Sequence, residues 1–145
     1  MYPHYLPDIN LFHHSIPLQL RFNDIDILGH VNNTVYFSFF DTGKAHFFQS
    51  IMNGGINWRE VETVIANIDC AYIQSIFFGE NIRLYTRCSE IKEKSFRLQQ
   101  MMVEQSSGAV KAICETVMVS IDTKTMKSIE IPARWRRALE DSMKE

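Results

Sequence analysis

Neither sign of charge predominates in this chain. Its 145 residues carry 15 basic and 17 acidic side chains, so no global field argues for a nucleic acid or an anionic membrane as partner. No apolar run approaches the roughly 20 residues that a membrane span requires. The N-terminus lacks the basic patch and apolar core of a secretory signal, because Pro3, Pro7, Asp8 and His13-His14 interrupt it, and the cytoplasm is the expected location. Three cysteines, Cys70, Cys88 and Cys114, make an odd number with no CxxC spacing; each lies in a strand-like run and reads as a buried thiol. No Gly-x-Ser-x-Gly elbow or Walker loop occurs, and no repeat, low-complexity tract or linker divides the chain. Hydrophobic content of 46% with 22% charged residues excludes disorder.

What is present suits one globular domain at residues 15–145 behind an irregular arm at 1–14, where two prolines and few periodic apolar positions stand. Ile16 to Phe22 alternates, with Ile16, Leu18 and Leu20 on one face, and reads as a strand despite Pro17. Asn23 to Asn33 is an Asx-rich loop. From Thr34 to about Met52 the period becomes helical through Val35, Phe39, Phe40, Gly43, Phe47 and Ile51. Tyr36, Phe37 and Phe48 widen the apolar surface, which predicts a helix enclosed on several sides. Asn32 or Asn33 is a suitable N-cap, and Asn53-Gly54-Gly55 a suitable stop.

Strand patterns follow over Glu62–Gln74, Asn81–Ile91, Ser95–Glu104 and Val110–Met118, with a hairpin signal at Gln105-Ser106-Ser107-Gly108. Pro132 opens a last helix whose stripe is Trp135, Ala138, Leu139 and Met143. The expected order is strand, long helix, a meander of four strands and a C-terminal helix. Such a chain is α+β: an antiparallel sheet of five strands curled around one helix.

Chemistry concentrates between Arg21 and Asn33. Asp24 and Asp26 stand two apart where the first strand ends, so one can face a cavity while the other holds the loop. Just beyond lies the N-terminus of the apolar helix, whose unpaired N–H groups and positive dipole end favour negative charge. That arrangement keeps an aspartate ionised and offers donors to a carbonyl oxygen becoming an oxyanion. A carboxylate there can attack a thioester or activate a water. An N-cap network of Asp24, Asn32 and Asn33 without catalysis is the competing reading. Calcium is disfavoured because Leu28 and Val35 occupy ligand positions of the loop. A transition metal on Asp24, Asp26 and His30 has no second histidine or cysteine nearby; no metal is expected.

The run Asp24-Ile25-Asp26-Ile27-Leu28-Gly29-His30-Val31-Asn32-Asn33, followed by Tyr36, resembles the D-x-D-x-x-G-H-V-N-N-x-x-Y signature of hotdog-fold acyl-CoA thioesterases of the 4-hydroxybenzoyl-CoA thioesterase family. The likeness continues at Asp69 to Glu80, with Phe78-Gly79-Glu80 at a glycine–acid turn, and at Lys94-Ser95-Phe96. It spans roughly residues 15 to 135. The resemblance implies a hotdog fold, a long helix wrapped by a curved antiparallel sheet, and hydrolysis of an acyl-CoA to free acid and coenzyme A. No cofactor is implied, coenzyme A being part of the substrate. Homodimers or homotetramers with active sites at the dimer interface are implied as well.

By the same resemblance Asp26 is the catalytic carboxylate, nucleophile or general base, and Asp24 is structural. Gly29, His30 and Val31 line the turn near the thioester, with Asn33 and Tyr36 bordering the acyl pocket. Lys92 and Lys94 match positions that contact coenzyme A phosphates in some relatives, although Glu93 replaces a basic residue there. Three other readings fit the fold: an acyl-carrier-protein thioesterase, an enoyl-thioester hydratase, and a non-catalytic acyl-CoA binding module. His30 does not sit in a hydratase motif, and the intact Asp26 speaks against a mere binder.

Overall fold

Alternating apolar and polar residues put successive side chains on opposite faces of a strand, and the sheet follows that pattern. A computed structural model of the protein describes residues 6–144. Strands β1 (His14–Pro17), β2 (Thr63–Tyr72), β3 (Ile82–Ile91), β4 (Ser95–Glu104) and β5 (Val110–Asp122) form one antiparallel sheet in the order β1-β3-β4-β5-β2. A short β6 (Lys127–Ser128) pairs with the end of β5. Ile82, Leu84, Thr86 and Cys88 of β3, Leu98, Gln100 and Met102 of β4, and Ala112, Cys114, Thr116 and Met118 of β5 are all buried.

Helix α1 (Tyr36–Ile51) lies on that face, burying Tyr36, Phe39, Phe40, Phe47 and Phe48. Gly43 lets it approach: a Cβ there would collide with Leu84 and with Gln100. Gln100 donates from Nε2 to the Phe40 carbonyl at 2.9 Å, fixing helix to sheet. Helix α2 (Ala133–Met143) closes the far end, with Leu139 buried and Trp135 edge-on to Phe48 at 5.5 Å.

Four expectations change. The four-strand meander holds only for β3-β4-β5; β2 pairs with β5 at the opposite edge. Its link to β3, residues 73–81, is too long for a tight hairpin and crosses the end of the sheet, with Ile76 fully buried. The first strand is His14–Pro17 rather than Ile16–Phe22: its last ladder bond is the Leu18 N–H to the Ile82 carbonyl at 2.9 Å, and Phe22–Asp24 turn into a 3-10 helix. Leu18 and Leu20 still pack on the core. Helix α1 is cradled, not enclosed: Phe37 is 40% exposed, and Ser38, Asp41, Thr42 and His46 face outward. Of the expected arm, residues 1–5 lie outside the described residues, while Ile9–Leu11 form a 3-10 turn and Phe12 is buried.

Candidate active site

Two turns link β1 to α1, each built around an aspartate. Asp24 closes a 3-10 turn: its Oδ2 accepts the Arg21 backbone N–H at 2.8 Å, and its Oδ1 accepts Arg21 Nη2 at 3.0 Å. The Asp24 carbonyl accepts the Asn32 N–H at 2.8 Å, tying this turn to the helix start. Burial alone would raise the Asp24 carboxyl, but the Arg21 hydrogen bonds and charge outweigh it and hold the group below the ordinary carboxylate range. Both Asp24 oxygens are thus engaged in holding the turn.

Asp26 begins the second turn. Ile25 and Val31 bridge as antiparallel partners. Between them the Asp26 N–H donates to the His30 carbonyl at 2.9 Å and the Gly29 N–H to the Asp26 carbonyl at 3.0 Å. Gly29 sits at φ +85°, where a side chain strains the backbone. Asp26 Oδ1 accepts the Leu28 N–H at 2.9 Å, an Asx turn that fixes the carboxylate at the base of the hairpin. Ile27 and Leu28 form the tip, at 99% and 71% exposed. Val31 is buried, its N–H donating to the Ile76 carbonyl at 2.8 Å. His30 stands edge-on to Phe77 at 5.4 Å and bridges to it, docking the hairpin on the 73–81 crossing.

Helix α1 opens against this hairpin. Asn32 Oδ1 accepts the Thr34 N–H at 2.9 Å and starts a 3-10 turn, Asn33–Val35, so the α-helix itself begins at Tyr36 rather than Thr34. No acid lies in its first turn, and Val35 provides no side-chain cap. No charged side chain therefore offsets the positive end of the helix. Beside it is a groove of about 270 Å³ lined by His30, Val31, Asn33, Tyr36, Tyr72, Ile73, Gln74 and Ser75. Tyr72 donates its hydroxyl to the Asn33 carbonyl at 3.1 Å and meets Tyr36 edge-to-face at 4.9 Å. Desolvation pushes the Tyr36 phenol up to about 12, which keeps it protonated.

Four of the residues expected from sequence, His30, Val31, Asn33 and Tyr36, thus line one groove. Asp26 and Gly29 lie outside its lining, in the hairpin whose other arm is His30. Tyr72, Ile73, Gln74 and Ser75 were not anticipated. Lys111, itself buried, reaches across to the Ser75 carbonyl at 2.9 Å and to Glu80 Oε2 at 3.0 Å, holding that wall in place. Lys92 and Lys94 are not brought to the groove. They lie exposed in the β3–β4 turn, where Arg136 grips the Lys92 and Glu93 carbonyls. That turn aligns with the Val64 end of β2 through Ser95 and Val119. The groove is at the Tyr72 end, roughly 25 Å away at 3.3 Å per residue. A second groove of about 450 Å³, between Ile16–Arg21 and the Phe39–His46 face of α1, holds no carboxylate in its lining.

A family model described as the thioesterase-like superfamily matches residues 20–139, from just before the Asp24 turn into α2. The chain belongs to the thioesterase-like superfamily. Membership makes it a thioester hydrolase by family, as the motif implied. It is 23% identical over 130 residues to FadM of Escherichia coli, a long-chain acyl-CoA thioesterase, covering 88% of this chain and 97% of FadM. A Thermus thermophilus thioesterase solved with coenzyme A and zinc superposes with a TM-score of 0.81 at 24% identity, over 92% of this chain and 96% of that one. Slr0204 of Synechocystis, a 1,4-dihydroxy-2-naphthoyl-CoA thioesterase, gives 0.81 at 13% identity over 90% and 98%. At such identities the structural matches establish the fold, which is the expected hotdog. No helix among the described residues is long and apolar enough to cross a membrane. No group of three metal-ligating side chains is found among the described residues either.

Proposed function

We propose that this superfamily member hydrolyses an acyl-CoA thioester in the groove at the mouth of α1, with Asp26 as the reacting carboxylate. The observation that carries the reading is the convergence of His30, Val31, Asn33 and Tyr36 on one groove, beside the positive end of a 16-residue helix with no acid in its first turn. Asp26 lies one hydrogen bond away across the same hairpin. FadM acts on long-chain acyl-CoA and the Thermus protein was solved with coenzyme A, which supports a coenzyme A ester here.

The chemistry divides between helix and hairpin. The thioester carbonyl points to the helix start, where its oxygen gains negative charge as the tetrahedral intermediate forms. With Oδ1 anchored by Leu28, Oδ2 of Asp26 removes a proton from a water that attacks the carbonyl carbon. When the C–S bond breaks, the departing thiolate takes that proton back. If Asp26 instead attacks directly, a mixed anhydride forms and water cleaves it. His30 orients the hairpin through Phe77 and is not the base.

The proposal includes a homodimer in the cytoplasm. Among the described residues the outer edge of β2 carries no partner strand, and it exposes Val64 and Ile65 at 41% and 42%, a ready template for pairing. Two-fold antiparallel pairing there turns the second copy end for end. Its β3–β4 turn, bearing Lys92 and Lys94, then moves toward the groove, where two cations suit the phosphates of coenzyme A.

The test is a thiol-release assay across acyl-CoA chain lengths with wild type and Asp26→Asn side by side. We expect kcat/KM to fall by about a hundredfold or more in the variant, with thermal unfolding unchanged. Equal activity removes Asp26 from the mechanism, and no turnover of any ester by wild type removes the thioesterase reading. Heavy-oxygen water under single turnover labels Asp26 only on the anhydride route.

A further inference from the structure

Two thiols outside this chemistry face one another. Cys70 of β2 and Cys114 of β5 are direct cross-strand partners, on the sheet face that packs under α1. The ladder fixes which kind of pair they form. The Ile73 N–H donates to the Lys111 carbonyl at 2.8 Å, and the register that sets Tyr72 against Ala112 sets Ile73 against Lys111. Hydrogen-bonded and non-hydrogen-bonded pairs alternate along an antiparallel ladder. Cys70–Cys114 is therefore a non-hydrogen-bonded pair, the class in which Cα atoms stand about 4.5 Å apart and side chains come closest. Bridged cysteines span roughly 4.4–6.8 Å between Cα atoms, so the backbone is already in place for a bond.

Access and thiolate character are divided between the two. Cys70 is half-buried and shares a face of β2 with Tyr72, two residues nearer the groove, whereas Cys114 is 1% exposed. The Cys70 thiol donates toward Cys114, whose pKa falls as the pKa of Cys70 rises. The Thr116 hydroxyl, 3.8 Å from Cys114 Sγ, and the buried Lys44 ammonium also favour a Cys114 thiolate, against burial and the charge of Asp69. Cys88 is the internal contrast. It is buried opposite Leu98 with no cysteine as cross-strand partner, and desolvation pushes its thiol up to about 11.

We propose that Cys70 and Cys114 are an oxidisable dithiol that closes into a disulfide between β2 and β5 on reaction with a small-molecule disulfide such as oxidised glutathione. Cys70, the accessible thiol, passes its proton to the neighbouring Cys114 thiolate as it attacks one sulfur of the oxidant; the S–S bond breaks and the first small thiolate leaves. Cys114 then attacks the Cys70 sulfur of the mixed disulfide, giving up its proton to the second small thiolate as that group is expelled. Two protein thiols are oxidised and one small disulfide is reduced to two thiols. The new bond joins the β2 edge strand to its neighbour two residues from Tyr72, at the wall of the groove.

The experiment treats full-length protein with oxidised glutathione, alkylates it under denaturing conditions and maps the peptides by mass. We expect loss of two of the three alkylatable thiols, an intrachain link between the peptides bearing Cys70 and Cys114, and a fully alkylated Cys88. Cys88→Ser forms the same link. Cys70→Ser keeps Cys88 and Cys114 alkylatable and forms no intrachain link. Three surviving thiols in wild type, a reaction that stops at a glutathione adduct, or a bond between two chains overturns the proposal. Because mapping of the wild-type protein decides it, the result does not depend on any variant folding or on thioester turnover.

Discussion

The two turns between β1 and α1 use the same side chain in opposite ways. In the first, both oxygens of Asp24 are held by Arg21, which supplies a backbone N–H and a guanidinium to a side chain 2% exposed. In the second, one oxygen of Asp26 accepts one N–H, from the next residue but one, in a hairpin whose tip is in solvent. A saturated carboxylate lowers the energy of the fold and has no oxygen left for chemistry. A carboxylate aimed by one bond is oriented and retains a lone pair. The comparison supports the proposed division, with Asp24 structural and Asp26 reacting.

Substitution should separate the two roles. The largest effect belongs to Asp26→Asn: about a hundredfold or more in kcat/KM, with a Tm within a degree or so of wild type. Asp24→Asn reverses the pattern. It leaves one Arg21 donor facing an amide N–H and should cost about 1–3 kcal/mol in denaturant unfolding, with kcat per folded molecule within a few-fold of wild type. Comparable turnover losses in both would break the contrast.

Acid provides the same test without mutation. The folded-state pKa of Asp24 is lowered, so its contribution to stability is complete above the ordinary aspartate value. It is lost as pH falls below about 4 through the folded value. The acid limb of stability should be shallower in Asp24→Asn than in wild type. Gly29→Ala strains a positive φ but meets nothing within 4 Å, so a cost of about 1 kcal/mol should be accompanied by a measurable drop in turnover, since the hairpin aims Asp26. The smallest effect is expected for Tyr72→Phe. It removes one exposed hydroxyl donor to Asn33 and should raise KM by a few-fold, with a loss near 0.5–1 kcal/mol; an unchanged KM would remove Tyr72 from the groove's working wall.

Local chemistry was the part legible in sequence. Asn32 caps the helix start, the alternation in β3, β4 and β5 predicts their buried faces, and the run from Asp24 to Tyr36 gathers where its order implied. Pairing was less legible, because a two-residue period states which face a strand buries and not which strand lies beside it. The long 73–81 segment was the signal that β2 does not turn into β3. The far wall of the groove was missed for the same reason: Tyr72 to Ser75 reach Asn33 and Tyr36 only after β2 has crossed to the other edge. Lys92 and Lys94, adjacent in sequence to the Ser-Phe pair, are separated from the groove by the length of the sheet.

The strand order also sets a sequence of events in time. β3, β4 and β5 are joined by short turns and pair locally, whereas β1, α1 and β2 all reach that stack across wide separations, His14 with Thr86, Gly43 with Leu84 and Tyr72 with Ala112. Closing those loops costs chain entropy before any contact repays it. The three-strand hairpin stack is therefore expected to form the early template, onto which β1, α1 and β2 close later. The groove takes one wall from the start of α1 and the other from the end of β2, so a chain with β2 still undocked has a helix and a sheet but no binding wall.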